Sequence, residues 1–409
     1  MHRRILRIAL AAACATLALA LALLPASGLA AWSLQTAANP GGTNSSLLGV
    51  SCPTATWCTA VGTSDASGVG GDIAETWNSP TWSLDSVIVN PERKNAALNG
   101  VSCPLQNVCY AAGYFGSFAG KQEAQVQYKS GTSTWFLTSR SGEPSHSASA
   151  LYGISCVSFS VTLCEAVGTH NVGGVAASSA FHGGAGGLIY DSSVIGNPGD
   201  SNGFLQGISC PDSAVPYQCF AAGQYSNRSR SFNMIQVKRQ VTGQPPENGP
   251  WSLAGAPNWS TGNIYGSAIS CTSASFCMSV GRVERAAVGF DSEPVGLLYN
   301  GSTWSLLGAS VPSGGAPVNT RFLGVSCTNV TVNVCVAVGS TKNASGQIVA
   351  LAERWTSATG WVVMTTPSPP STTTSVLNGI SCSAVDTCTA VGSYSTGSGN
   401  RPLALRLTP

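Results

Sequence analysis

The side chains able to do acid-base or metal chemistry are few, so their spacing decides what they are for. Of the four histidines, His2 sits in a basic start, while His146, His170 and His182 fall in one stretch with Glu143 just before it and Gly183, Gly184, Gly186 and Gly187 just after. Three neutral imidazoles and a water form a familiar zinc arrangement. The opposing reading is that histidines in Ser/Gly-rich loops are solvated, since flexible loops seldom hold the fixed geometry a metal requires. Both readings stay open for His146, His170, His182 and Glu143 as a ligand-binding set, and whether a metal is held is unknown. Arg321, at the entrance to a strand, is a second candidate, because a guanidinium there can hold a carboxylate through paired hydrogen bonds. Glu75 and Glu353 each stand two residues before a tryptophan, and this phasing suits structural partners better than a catalytic pair. Arg282, Glu284 and Arg285 read as a solvated charged loop. Glycoside hydrolysis would need two carboxyl groups about 5 to 10 Å apart; Glu92, Glu143, Asp200, Glu284 and Glu293 are available, and no motif selects two of them. No motif calls for a cofactor.

The fifteen cysteines carry a clearer message. Cys14 lies in the apolar start, and the other fourteen come in seven pairs: Cys52 and Cys58, Cys103 and Cys109, Cys156 and Cys164, Cys210 and Cys219, Cys271 and Cys277, Cys327 and Cys335, Cys382 and Cys388. Gaps of five, seven or eight residues without histidines do not suit zinc, which favours shorter spacings. In an exported chain, an even set at repeated spacing implies a disulfide framework, here one bridge per unit.

The units that position these residues are repeats. Each opens with Gly-Val/Ile-Ser-Cys and continues as Cys-x-Ala-Val/Ala-Gly in most copies, with a glycine four residues after every second cysteine, from Gly62 to Gly392. The opening glycine is Ala268 in the fifth unit, and successive units start 51 to 61 residues apart. Within unit one, Leu47 to Cys52, Cys58 to Gly62, Ile73 to Trp77 and Trp82 to Leu84 have the short alternating pattern of strands A to D. Asn300-Gly301 is a two-residue hairpin signal between strands C and D of unit five. Four strands in each of seven units predict an all-β, seven-bladed β-propeller of four antiparallel strands per blade. The expected blades are 47–84, 98–138, 151–196, 205–254, 265–307, 322–364 and 376–408. The last unit ends on its C strand, Leu403 to Leu407, and Trp32-Ser33-Leu34 copies Trp82-Ser83-Leu84. The N-terminal segment 31–36 is therefore expected to close the ring as the missing outer strand. Unit three has Ser192 to Ile195 where a tryptophan strand belongs, so blade three is expected to be irregular. The recurring tryptophans are expected between blades rather than as sugar platforms.

Residues 1–30 have the basic, apolar and small-residue order of an export signal, with cleavage expected after Ala30. An uncleaved anchor is the rival, because Ile8 to Leu24 nears the length of a membrane span. Charged residues are 9% of the chain, and removal of Arg3, Arg4 and Arg7 from 19 basic residues leaves 16 against 17 acidic ones. So near-neutral a chain offers no electrostatic footprint for nucleic acid or an anionic membrane. A secreted or cell-surface monomer, without membrane insertion after cleavage, is expected.

The repeat, together with the Trp/Tyr-Asn-x-x-x-Trp-Ser hairpins at Trp77 to Ser83 and Tyr299 to Ser305, resembles the uncharacterised secreted bacterial β-propeller repeat proteins. The resemblance covers the whole mature chain; it implies the propeller fold and export, and no activity. The C to D hairpin is distantly similar to the Asp-box hairpin of sialidase-type propellers, but it lacks the defining aspartate. The function expected is an extracellular binding or interaction module for a glycan or an extracellular protein. The alternatives are a carbohydrate-active enzyme, either a glycoside hydrolase or a polysaccharide lyase, and a structural cell-envelope protein.

Overall fold

The computed structural model describes residues 30–409 apart from 67–69, 88–93, 118–120, 132, 139, 142–147, 159–162, 185, 196–197, 199–201, 212–216, 228–229, 246–247, 259–261, 286–291 and 310–318. The expected signal, 1–30, lies outside the described residues except for Ala30.

Seven antiparallel sheets are arranged as blades around an axis. In blade 1, strands A to D are Ser45–Thr54, Trp57–Ser64, Gly71–Asn78 and Thr81–Leu84, paired in that order from the centre outward. Blade 2 is Lys94–Leu105, Val108–Gly116, Gln122–Ser130 and Phe136–Leu137, and blade 3 is Ser149–Cys156, Cys164–Val172, Val175–Gly184 and Gly187–Tyr190. Blade 4 follows as Gly203–Ser209, Gln218–Ser226, Ser231–Arg239 and Trp251–Ala254, and blade 5 as Gly262–Ser273, Phe276–Arg285, Ser292–Tyr299 and Trp304–Gly308. Blade 6 is Arg321–Asn329, Asn333–Lys342, Ile348–Thr356 and Gly360–Met364; blade 7 is Thr374–Ala384, Thr387–Ser395 and Asn400–Thr408. Ala31–Gln35 completes blade 7 as its D strand, with Trp32 opposite Leu407 and Leu34 opposite Leu405. The chain's start thus closes the ring on its end.

Alternation along each strand sends apolar side chains to both faces of the blade, so the core is a set of layers between neighbours. Between blades 7 and 1, for instance, Leu47, Ile73 and Trp77 pack with Val391 and Ala404. The D-strand tryptophans Trp32, Trp82, Trp251, Trp304 and Trp361, and Trp135 just before its own D strand, are all buried in such layers. Seven disulfides, Cys52–Cys58, Cys103–Cys109, Cys156–Cys164, Cys210–Cys219, Cys271–Cys277, Cys327–Cys335 and Cys382–Cys388, cross the A to B hairpins. They point to an oxidising, extracellular environment. Among the described residues no helix is long and apolar enough to cross a membrane.

The repeat motif has a physical reason at each position. Every A strand is bulged immediately before the motif's first residue, at Leu48, Asn99, Tyr152, Gln206, Ser267, Leu323 and Asn378. The bulge pushes an A-strand carbonyl against the glycine of Cys-x-Ala-Val-Gly; a Cβ on Gly62 would overlap the carbonyl oxygen of Ser46, and one on Gly392 that of Val376. The opening glycine lies where adjacent A strands meet, and a Cβ on Gly49 would stand 3.1 Å from the Cα of Gly100. The serine then joins neighbouring blades. Ser51 Oγ accepts the amide N–H of Cys103 at 3.0 Å, and the same contact runs from Ser102 to Cys156, Ser155 to Cys210, Ser209 to Cys271, Ser270 to Cys327, Ser326 to Cys382 and Ser381 to Cys52. This is an unbroken ring of seven hydrogen bonds.

Three local expectations change. The D strand of blade 3 is Gly187–Tyr190 rather than Ser192 to Ile195, because the C to D turn contracts: Gly184 pairs directly with Gly187, and Gly183 and Gly187 take positive φ values of 140° and 133°. Blade 3 also gains a fifth strand, Arg140–Ser141, parallel to its D strand. The turn at Asn300-Gly301 is a four-residue loop, with Tyr299 paired to Trp304 and Asn300 Oδ1 accepting the amides of Ser302 and Thr303.

Candidate functional site

The seven A strands enclose an axial channel of about 160 Å³, lined by the bulge residues and the Gly-Val/Ile steps of the motif. It is well below the 300–1,000 Å³ typical of ligand pockets. A ligand on the axis therefore sits at a mouth of the channel rather than inside it. At the end where the A strands begin, two residues before each bulge, the repeat loses its symmetry. Blades 1 to 3 place Ser46, Ala97 and Ala150 there, whereas blades 4 to 6 place Phe204, Tyr265 and Arg321.

Arg321 begins the A strand of blade 6. Its Nε is buried without a hydrogen-bond acceptor, and among the described residues no carboxylate pairs with it. Burial and, secondarily, the charge of Arg282 push its guanidinium below the usual arginine range. Arg282, Glu284 and Arg285 belong to strand B of blade 5, not to a loop, because its alternation continues through Val283 into Arg285. Arg282 stacks 4.2 Å from the centre of the Tyr265 ring, and Glu284 is held by both, accepting from Arg282 Nε at 2.9 Å and Tyr265 Oη at 3.1 Å. Glu293 is likewise held by Arg285 at 2.7 Å. Both described acids from the candidate hydrolase set are thus in ion pairs; Glu92, Glu143 and Asp200 lie outside the described residues. Of the arginines at this mouth, Arg282, Arg285 and Arg321, the one without an acid among the described residues is Arg321.

Of the histidine set, His170 and His182 are not brought together. His146 and Glu143 lie outside the described residues. His170 and His182, expected in a loop, are in the B and C strands of blade 3, because the turn between them contracts to Gly173-Gly174. His170 pairs with Ala177, five residues from His182, which is roughly 17 Å along a strand and an odd step to the opposite face. His170 packs edge-on to Tyr190, against the layer shared with blade 2. His182 faces blade 4, with Nδ1 3.9 Å from Asp191. Among the described residues no three His, Cys, Asp or Glu side chains are grouped to hold a metal.

Glu75 is a structural partner. It is fully buried, and Oε2 accepts the amide of Ala38 in the segment that leads from the closing strand into blade 1. Burial pushes its carboxyl up to about 8. Gln236 holds the equivalent position in blade 4 and binds both backbone groups of Ile195 in the connection from blade 3. A larger groove of about 870 Å³ lies on the outer rim between blades 6 and 7, where Trp32, Val362 and Met364 meet the Arg354–Asp386 ion pair.

Sequence reasoning missed a cluster between blades 3 and 4. Lys238, Glu165 and Asp191 are buried together, with Lys238 Nζ 2.8 Å from Glu165 Oε1 and 2.7 Å from Asp191 Oδ2. Beyond this contact with Lys238, neither Glu165 oxygen has a hydrogen-bond donor among the described residues. Burial pushes Glu165 up to about 7 against the lowering effect of Lys238. For Asp191 burial is outweighed by His182, Lys238 and Ser193, which hold it below the carboxylate range. An uncharacteristic charge in an apolar strand, Lys238 beside Val237, was the available signal.

No protein-family model and no curated protein matches the sequence. Among solved structures, the chain is similar to YCF48 bound to D1 peptide, at 11% identity and a TM-score of 0.51, covering 94% of this chain and 97% of that one. It is also similar to the Trypanosoma rangeli sialidase in complex with sialic acid, at 10% identity and a TM-score of 0.46, covering 94% and 58%. Sqt1 of Chaetomium thermophilum gives 8% identity and a TM-score of 0.44, covering 91% and 98%. The first of these, with a TM-score above 0.5 at 11% identity, is a distant likeness of fold.

Proposed function

We propose that the protein is an exported binding module, working outside the cell or at its surface, whose ligand presents an anionic group to the channel mouth formed by blades 4 to 6. The observation that carries this is Arg321, a half-buried guanidinium with an unpartnered Nε and no described acid beside it. A buried polar group without a partner costs about 1–3 kcal/mol, more when charged, and a ligand carboxylate would relieve that cost through charge-assisted hydrogen bonds. Tyr265 and Phe204 add apolar faces suited to a sugar ring or a peptide side chain. An acidic glycan and a carboxylate-bearing segment of an extracellular protein share this chemistry. YCF48, the similar propeller, is described as bound to a peptide.

The test is an array of acidic and neutral glycans and peptides probed with the mature protein, followed by titration of the hits. Ligands with carboxylates should bind, and Arg321→Ala should weaken them at least about tenfold, or ~1.4 kcal/mol. Equal binding of neutral analogues would remove the reading. Turnover of chromogenic glycosides would replace it with an enzyme.

A further inference from the structure

The cluster between blades 3 and 4 has the parts of a condensation reaction. Lys238 and Glu165 side chains are fully buried, and Asp191 is nearly so. The two oxygens of Asp191 are in different surroundings. Oδ1 accepts two hydrogen bonds from Ser193, from its amide at 3.0 Å and its hydroxyl at 2.6 Å. Oδ2 meets Lys238 Nζ at 2.7 Å and the indole N–H of Trp251 at 3.1 Å. The second carboxyl, Glu165, touches the same Nζ and has no other hydrogen-bond donor among the described residues.

We propose that Lys238 and Asp191 condense to an isopeptide bond that ties blade 4 covalently to blade 3, with Glu165 as the proton relay. Passing one proton from Nζ to Oδ2 across their contact turns the ion pair into a neutral amine and carboxylic acid, which lessens the charge buried in the site. The Nζ lone pair then attacks Cγ. Negative charge developing on Oδ1 is met by the two Ser193 donors, the arrangement by which preorganised donors stabilise a tetrahedral intermediate. Glu165, which burial raises to about 7 so that roughly half of the molecules carry its proton at neutral pH, takes a proton from Nζ on one oxygen and delivers its own to Oδ2. The Cγ–Oδ2 bond breaks and water leaves. The Nζ–Cγ amide is formed, Glu165 ends as it began, and neither an oxidant nor an activated co-reactant is needed. Holding the groups in contact in a dry site supplies the effective concentration such a step requires.

A second lysine provides the control within the same chain. Lys129 meets Asp85 at 2.7 Å between blades 1 and 2, also buried, but Thr59 and Thr76 stand where Glu165 and His182 stand. Without a relay carboxyl, and with Val87 where Ser193 stands in the other junction, this pair remains an ion pair.

The experiment is the intact mass of the mature protein, denatured, followed by tryptic mapping. The wild type should be lighter by one water, not two, than the sequence with seven disulfides. Trypsin should fail after Lys238 and release a branched peptide containing Lys238 and Asp191, while cleaving normally after Lys129. Glu165→Gln should restore the missing water or slow its loss at least tenfold. The full mass in folded wild type after prolonged incubation would overturn the proposal, whatever the folding of the variant. So would a lost water with Lys238 still open to trypsin, because that pattern means a succinimide at Asp191-Ser192.

Discussion

The junctions between blades 1 and 2 and between blades 3 and 4 use the same parts in the same places. Each has a buried lysine from strand C, Lys129 or Lys238, and an aspartate one residue past the preceding D strand, Asp85 or Asp191. In each, a tryptophan, Trp135 or Trp251, donates to that aspartate at 3.1 Å. They differ at one cross-strand pair, Thr59 with Thr76 in blade 1 and Glu165 with His182 in blade 3, and two residues past the aspartate, where Ser193 donates to Asp191 and Val87 follows Asp85. Hydroxyls complete the first cluster without adding charge: Thr76 Oγ1 donates to Asp85, and Lys129 donates to Thr59 and Thr76. In the second, two carboxyls compete for one amine. Burial raises Glu165 to about 7, so below neutral pH the surplus is carried there as a proton; one junction is a balanced pair and the other is poised for proton transfer.

Removing the lysine separates the two most sharply. Lys129→Met leaves Asp85 buried without its amine and should cost about 3–5 kcal/mol at neutral pH, the range for breaking one partner of a buried pair. Lys238→Met leaves two carboxyls facing each other, and its cost should be larger at pH 8 than at pH 5, where protonation relieves them. Denaturant unfolding of both variants, with disulfides intact, reads the difference. Equal and pH-independent losses would mean that the second carboxyl is immaterial.

The shared framework was legible in the sequence because each element of it repeats seven times. Cysteine pairs, motif glycines and the copy of Trp82-Ser83-Leu84 at Trp32 specified the blade number and the ring closure, and the fold agrees. What distinguishes blades does not repeat. The contraction of the C to D turn in blade 3 depends on Gly183 and Gly187 accepting positive φ, and the glycine run there reads equally well as a longer loop. The same contraction brings Asp191, rather than Ser192 to Ile195, to the end of the D strand. For the candidate site, Arg321 could be placed at a strand entrance, but its lack of an acid depends on Glu284 being held by Tyr265 and Arg282. The Lys238 cluster joins residues 165, 191 and 238, and only the register of two blades makes them neighbours. The serine of Gly-x-Ser-Cys was visible in every repeat, yet its partner lies in the next blade, so repetition alone gave it no role.

The proton on Glu165 provides a finer test. In the chain before Lys238 and Asp191 condense, its carboxyl is raised from 4.5 to about 7 on folding, so between these values the folded chain holds a proton that the unfolded chain has released. Stability therefore falls as pH rises through that window, by at most about 3 kcal/mol. Glu165→Gln should flatten the fall, measured as melting temperature between pH 4.5 and 7.5. Thr59→Glu should introduce a similar fall at the junction of blades 1 and 2, turning the balanced cluster into the poised one. A pH profile unchanged by both substitutions would place the proton elsewhere.

The smallest effect tests whether the difference is confined to the charges. Ser51 and Ser155 make the same contact at the two junctions, accepting the amides of Cys103 and Cys210 at 3.0 Å. Each contact lies at the inner edge of its blades, in the A strands, and each serine stands directly across the sheet from a member of its lysine cluster, Ser51 opposite Thr59 and Ser155 opposite Glu165. Substitution by alanine removes one neutral hydrogen bond and leaves one amide without its acceptor, which should cost about 1 kcal/mol at either site. The two losses should be equal and independent of pH, since no titrating group takes part. Single and double variants with Glu165→Gln give the coupling directly; facing residues can couple by more than about 0.5 kcal/mol, so a coupling within that value would confine the difference to the charges. An unequal pair of losses, or a coupling well above that value, would show that the inner ring senses the charge at the rim, and the two junctions would then differ through their whole depth.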